Sequence, residues 1–329
     1  MATISDVAAL ARVSVATVSR ALNGKESVDP QLVARVRKAA AELGYHPNGL
    51  ARSLRKRRTA VLALIISDVE NPFFTAIARG VEDVALTAGY SVVLCNSDEK
   101  LDKESRYLDV AVEERVAGVV ISPTGESTSV EVLRRRGTPV VAVDRPLDDV
   151  DQVLVNTRLA AQEATAHLVA AGYRRIACVT GPPGIRTADD RLAGYRDALA
   201  AAGMAADPGL VRRAEYRAEG AERATAELLR TAGVVDGLLV ANSAQAVGSL
   251  EALRTAGRRL GTDVGVVAFD DAPWATLIDP PLTVVAQPAY ELGAVAARLL
   301  LDRIEGDAHQ VTVRTLDARL IERGSSRRN

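Results

Sequence analysis

The stretch Thr3 to Leu22, TISDVAALARVSVATVSRAL, decides how the first part of the chain folds. Thr3 and Asp6 have the spacing of a capping box, Asp standing in for the usual Glu or Gln, so a helix is predicted to start at Ile4. Val7, Leu10 and Ala11 then fall on one face and Val13 sits in a turn. The hydroxyl of Ser14 can cap a second helix. There Val18, Ala21 and Leu22 recur at helical spacing and leave Val15, Ala16, Thr17, Ser19 and Arg20 on or near the outer side. Two short helices with a tight turn between them and a short, polar, basic outer face are what a helix-turn-helix needs to offer its second helix to a DNA major groove.

Working outward, Asp29-Pro30 reads as N-cap and first helical residue, followed by an apolar stripe of Leu32, Val33, Val36, Ala39, Ala40 and Leu43 and a stop at Gly44. The third helix can cover the first two, giving a headpiece of about fifty residues with a small core. In the linker that follows, Pro47 can open a helix with Leu50, Ala51 and Leu54 on one face, but one or two turns do not hold together in water without a partner.

Charge is divided along the chain. Residues 1–60 hold 11 Lys and Arg against 4 Asp and Glu, a balance of +7, and the rest carries −8, although the whole sums to −1. A basic end on an acidic body suits a protein that grips a polyanion at one end only. At 329 residues, 48% hydrophobic and 25% charged, the composition is that of an ordinary soluble globular chain with room for two or three domains. Cys95 and Cys178 each sit in an apolar run and read as buried core thiols. The start has no basic region followed by an apolar core, and no run approaches a membrane span, so the expected location is the cytoplasm with no membrane partner.

From Val61 short apolar runs alternate with amphipathic stretches. Residues 61–66, 91–94, 119–122, 140–144, 176–180, 238–240 and 264–269 read as buried parallel strands. Residues 76–88, 105–115, 159–171, 192–202, 221–232, 245–256 and 290–304 read as helices. The repeats imply an α/β architecture with helices on both sheet faces, and the run is long enough for two sheets. The polar tail from Gly324 to Asn329 is expected to be disordered.

The stretch from Thr3 to Asn23 closely resembles the headpiece of the lactose/galactose repressor family, whose pattern is T-I-x-D-V-A-x-x-A-x-V-S-x-x-T-V-S-R-x-L-N. One departure is Arg12, where that family usually has Gly. The linker is similar to the family hinge, Y-x-P-N-x-x-A-R-x-L, which folds in the minor groove and wedges a leucine into the central step; the roles fall on Asn48, Leu54 and Arg55. The resemblance implies that Thr17, Ser19 and Asn23 lie against phosphates, that Val15, Ala16 and Arg20 read bases, that Thr3 and Ser14 also belong to the DNA-binding set, and that a C-G step lies under the two Leu54 wedges.

Beyond the linker the markers are Asn71-Pro72-Phe73-Phe74, Asp144-Arg145, Arg191 before Ala193-Gly194-Tyr195, Phe269-Asp270-Asp271 and Pro281-Leu282-Thr283. They imply a two-lobed core similar to periplasmic sugar-binding proteins, with two doubly wound parallel sheets behind an all-α helix-turn-helix headpiece. The organisation expected is a headpiece over 1–46, a hinge and linker over 47–60 and an effector-binding and dimerisation core over 61–329. Its N-lobe would comprise 61–158 and 289–313, and its C-lobe 159–288 and 314–324. Ligands bind beyond the carboxyl ends of strands in open α/β sheets, where Asp68, Asp144, Arg145, Asn242 and Asp270 are predicted to fall. The resemblance maps effector contacts onto Phe73, Asp144, Arg191, Asn242, Asp270 and Gln287, and more loosely Tyr216.

The function implied is a sequence-specific transcriptional regulator, a repressor, binding a pseudo-palindromic operator as a homodimer and controlled by a small-molecule effector, a sugar or related polar metabolite. An effector that changed the spacing of the hinges would switch it. Asn242-Ser243 and Asn156-Thr157 depart from the family's usual Asn-Asp and Asp-Asn, which argues against assuming a standard sugar. The competing class is a small-molecule-binding protein or enzyme on the same core with a nonspecific basic N-terminal module. Against an enzyme, Gly181-Pro182-Pro183-Gly184 lacks the Lys-Ser/Thr of a P-loop, His46, His167 and His309 have no metal-ligand spacing, and there is no nucleophile elbow. No cofactor, metal or catalytic residue is expected.

Overall fold

A computed structural model describes residues 2–22, 28–45, 59–306 and 310–328. They divide into one unit up to Thr59 and another from Ala60 onward.

In the first unit, α1 (Ile4–Ala11) begins at N-cap Thr3, whose hydroxyl accepts from the Asp6 amide while the Asp6 carboxylate accepts from the Thr3 amide, completing the capping box. The turn ends at Ser14, whose Oγ accepts from the Thr17 amide at 3.1 Å and starts α2 (Val15–Leu22). Asp29 and Pro30 open α3 (Pro30–Glu42). Val7, Ala8, Ala11, Val18, Ala21, Val36, Ala39 and Ala40 form the shared core. Leu10, expected on the packed face, is 47% exposed and Ala8 is buried instead: with Val7, Ala8 and Ala11 turned to the core, Leu10 falls beyond the edge of that face. Arg12 caps α1 with φ 51° and ψ 50°, the left-handed region in which a Cβ crowds its own backbone.

The second unit holds two six-stranded sheets. The first has the order β11-β5-β4-β3-β1-β2, all parallel, from β1 (Val61–Ile66), β2 (Ser91–Asn96), β3 (Gly118–Ile121), β4 (Val140–Val143), β5 (Asp151–Val155) and β11 (Val313–Leu316). The second runs β12-β10-β9-β8-β6-β7, from β6 (Ile176–Thr180), β7 (Val211–Arg213), β8 (Gly237–Val240), β9 (Gly265–Phe269), β10 (Thr283–Ala286) and β12 (Arg319–Ile321), with β12 antiparallel. Helices α4 (Pro72–Thr87) and α11 (Ala289–Glu305) cover one face of the first sheet, and α5 (Leu101–Glu113) with α6 (Glu131–Arg135) the other. Helices α7 (Thr157–Ala170) and α8 (Arg186–Ala201) cover one face of the second sheet, and α9 (Ala218–Thr231) with α10 (Ser243–Thr255) the other. Side chains at Gly80 or Gly293 would run into the backbone of the facing helix, so these two glycines set how closely α4 and α11 approach.

The chain crosses between lobes at Asn156, at Gln287-Pro288 and at Asp317-Ala318. Two boundaries differ from expectation. Thr157 and Arg158 already belong to α7 in the C-lobe, and Arg314–Leu316 belong to the N-lobe, because Val313–Leu316 pair with Gln152–Val155. The tail also departs from expectation. Ser325 and Ser326 are fully buried; Ser325 Oγ donates to Val266 O at 2.7 Å and accepts from the Thr283 amide at 2.8 Å. Its polar side chains complete backbone pairing that strand ends would otherwise leave unmade. Helices begin one to six residues earlier than expected, some of them at polar caps such as Asn71 and Asn242. The runs read from sequence do not include β5, β7, β10 or β11, which are short and lie between turns.

Arg12→Gly removes the left-handed penalty at the α1 cap. It should raise the stability of the headpiece by about 0.5–1 kcal/mol, read by thermal melting of the first unit's amides by NMR in the full chain.

Candidate functional site

The site is built where both sheets present the carboxyl ends of their strands. Asp144 follows β4 and Asp270 follows β9, at matching places in the two lobes, and both adopt left-handed backbone, φ 67° and 73°. That conformation turns each carboxylate off the strand axis into the gap between lobes. Asn71 caps α4, accepting from the Phe73 amide at 3.0 Å, and so aims Phe73 at the same gap; Asn242 caps α10, accepting from Gln245 N at 2.7 Å. The Ser243 hydroxyl reaches Asn71 Oδ1 across the gap at 3.3 Å.

Phe73, Asp144, Arg191, Tyr216, Asn242, Asp270 and Gln287, all seven positions that sequence reasoning selected for the core, line one narrow cavity of about 20 Å³. Asp68, Asn71, Phe74, Glu99, Arg145 and Thr187 line it as well. Glu99 and Thr187 carry no motif; what could have found them is position, since Glu99 follows the end of β2 and Thr187 lies in the first turn of α8.

Arg145, 4% exposed, is gripped by Glu99 through two bonds of 2.7 and 2.6 Å and donates to Pro123 O at 3.0 Å. Its guanidinium carbon lies 5.9 Å from the Tyr216 ring centroid. Arg191 lies over the Phe269 ring at 4.3 Å and donates Nη1 to Ala241 O at 2.8 Å. Asp270 accepts from Gln287 Nε2 at 2.7 Å and from the Ser243 amide at 3.2 Å. Arg145 Nε, Arg191 Nε, Tyr216 Oη and Gln287 Oε1 are buried without a hydrogen-bond partner. Unmade bonds of this kind are costly, so a cavity that keeps three donors and an acceptor idle is arranged for a polar molecule.

Burial pushes Asp144 up to about 6 against the pull of Arg145 and Arg191. Burial likewise raises Asp270 and Asp68 despite their arginine neighbours. No group of His, Cys, Asp and Glu among the described residues is arranged to hold a metal ion.

On the headpiece, Val15, Ala16 and Arg20 are exposed along one side of α2, with Thr17 and Ser19 partly covered. Thr17 Oγ1 lies 2.9 Å from Ser14 Oγ. Thr3 is occupied as the α1 cap. Asn23, Asn48, Leu54 and Arg55 lie outside the described residues.

A helix-turn-helix unit with a two-lobed core and a polar cavity between its lobes defines a ligand-responsive DNA-binding protein. Residues 3–48 match the bacterial regulatory proteins of the lacI family, and residues 165–326 match a periplasmic binding protein-like domain. The chain is 39% identical to the ribose operon repressor of Halalkalibacterium halodurans over 93% of this chain and 91% of that protein. The lac repressor dimer bound to operator and the anti-inducer ONPF aligns with a TM-score of 0.87 at 27% identity, over 99% of both chains. A LacI-family regulator from Enterococcus faecium with bound ribose aligns with a TM-score of 0.72 at 28% identity, over 82% of this chain and 99% of that one. The chain belongs to the LacI family of transcriptional repressors, which are DNA-binding regulators and not enzymes. No helix among the described residues is long and apolar enough to cross a membrane.

Asp144→Asn tests the buried charge. Because the folded-state value lies above that of a free carboxyl, ionised Asp144 is a cost that is fully present above pH 6 and relieved as the pH falls toward 4. The variant should be more stable than the parent at pH 8 by about 1–3 kcal/mol in urea unfolding, with the difference shrinking below pH 5.

Proposed function

We propose that this repressor binds a pseudo-palindromic operator as a homodimer and is controlled by a neutral sugar the size of ribose, held between the lobes. The observation that carries the effector reading is the lining of the cavity. Asp68, Glu99, Asp144 and Asp270 place four carboxylates there against Arg145 and Arg191, and Glu99 already occupies Arg145 with two bonds. Carboxylates accept from hydroxyls, the idle Arg191 Nε and Tyr216 Oη donate to them, and Phe73 offers an apolar face to a ring. The surplus of negative charge opposes a phosphate ester. The names of the ribose operon repressor and of the ribose-bound regulator support the pentose. The absence of an acid at Ser243 does not weaken this reading, because Asp270 supplies a carboxylate at the same place and accepts from the Ser243 amide.

On DNA, Val15, Ala16 and Arg20 read base edges and Thr17, Ser19 and Asn23 position the headpiece on phosphates, while Thr3 and Ser14 serve that contact by capping the two helices. Asn48, Leu54 and Arg55 engage the minor groove. The lac repressor dimer on its operator supports the dimeric arrangement.

Selection of random duplexes by the purified protein, with ribose, ribose 5-phosphate or neither, tests both halves. An enriched palindrome whose enrichment responds to ribose and not to the phosphate is the expected result. No enriched sequence in any arm rejects the operator reading, and indifference to ribose rejects the effector reading. Arg20→Ala should flatten preference at one position per half-site, a loss of about 1–3 kcal/mol for the preferred base, whereas Thr17→Ala should weaken all sequences alike in a salt-controlled binding series.

A further inference from the structure

One side chain crosses the mouth of the cleft. Arg217 belongs to the C-lobe, between β7 and α9, and its guanidinium meets three carboxylates of the N-lobe. Nη1 lies 2.9 Å from Asp68 Oδ2 and 3.3 Å from Glu70 Oε2, and Nη2 lies 3.5 Å from Asp98 Oδ1. The receiving side is held in place. The Glu70 amide donates to Asp68 Oδ1 at 3.0 Å, and Lys103 Nζ and Asn96 Nδ2 hold Asp98 at 2.6 and 2.8 Å. Asp68 is 7% exposed on its side chain and Arg217 32%, so the contact is sheltered at its inner end and wet at its outer end.

Location gives the contact its leverage. Arg217 borders a chamber of about 590 Å³ with Asp98, Pro182 and Ile185, and Glu99 and Tyr216 are shared between this chamber and the inner cavity. None of the three crossing segments borders it, whereas Gln287 and Pro288 border a separate chamber. Rotation of one lobe away from the other about the crossings must therefore break the Arg217 contacts. We propose that Arg217 is an interlobe latch that gates passage of the effector, engaging the Asp68, Glu70 and Asp98 carboxylates whenever the lobes are closed.

The proposal rests on the reading of the inner cavity as the effector site, and it makes a kinetic claim that differs from an ordinary binding contact. The latch is shut both before the sugar enters and after it is enclosed, so it governs how often the lobes part and leaves the balance between free and bound protein nearly unchanged. Arg217→Gln should accelerate association and dissociation of ribose together, each about three- to ten-fold, with Kd moving less than about two-fold. The rates are to be read in the full-length protein by stopped flow with a fluorescent ribose competitor or with the chain's one tryptophan, Trp274, as the reporter. Rates for the parent should rise with NaCl, since a partly exposed ion pair is screened, and those of Arg217→Gln should lose that dependence. Glu70→Gln, at a residue 83% exposed, should shift both rates the same way by less. Arg217→Lys, which keeps the charge, should fall between the parent and Arg217→Gln. Unchanged rates, or a slower association with a proportionate loss of affinity, would overturn the latch.

Hydrogen exchange of the sugar-free protein separates the two readings. Faster exchange over residues 67–71 and 96–100 in Arg217→Gln is expected, and identical exchange would overturn the latch whatever ribose does. Faster exchange in a protein to which ribose never binds would support the latch and reject the effector reading.

Discussion

Six ionisable groups are packed into the gap between two sheet ends, and the arrangement of the cleft follows from keeping them charged there. A buried carboxylate or guanidinium survives only if its partners offset the water it has lost. Glu99 does this for Arg145, Ala241 O and the Phe269 face do it for Arg191, and Gln287 with the Ser243 amide does it for Asp270. The partners come from several segments of the chain, so satisfying the charges fixes those segments relative to one another. Among the described residues Asp144 has only the Arg145 guanidinium beside it, at 3.6 Å, and burial raises it to about 6.

How much of this could be read beforehand depended on whether the signal was local. The capping box at Thr3 and Asp6, the Ser14 cap and the Asp29-Pro30 start are sequence-adjacent devices, and the helices begin where those residues place them. The two-sheet architecture followed from repeated apolar runs. The cavity residues were reached through resemblance and through the rule that ligands lie at strand ends, and geometry gathers all seven around one space. What escaped was non-local: Glu99, recruited by an arginine 46 positions away, and the buried serines of the tail, whose partners at Val266 and Thr283 lie more than forty residues off. A polar hexapeptide gives no hint that another strand's backbone is waiting for its hydroxyls.

Arg12 and the pair Asp144 and Asp270 show the same backbone state put to different uses. At Arg12 the left-handed residue only ends a helix, and nothing but the turn geometry asks for it. At Asp144 and Asp270 the same conformation turns a carboxylate from the sheet into the cleft, where strain is retained because the side chain is needed there.

The two late crossings, at Gln287-Pro288 and Asp317-Ala318, also bear on how the chain is made. Residues 61–155 emerge with the apolar flank of Ile77 and Val81 formed, yet the helix that covers it, with Leu292, Ala296 and Leu300, is synthesised more than a hundred residues later. The second lobe waits in turn for Arg319–Ile321 and for Ser325. Neither lobe can close its core during most of translation, so the growing chain carries two half-finished sheets with unpaired edges. Such intermediates are the aggregation-prone species of slow, long-range topologies. Only the headpiece is contiguous in sequence, and it alone can reach its final packing while the ribosome is still at work.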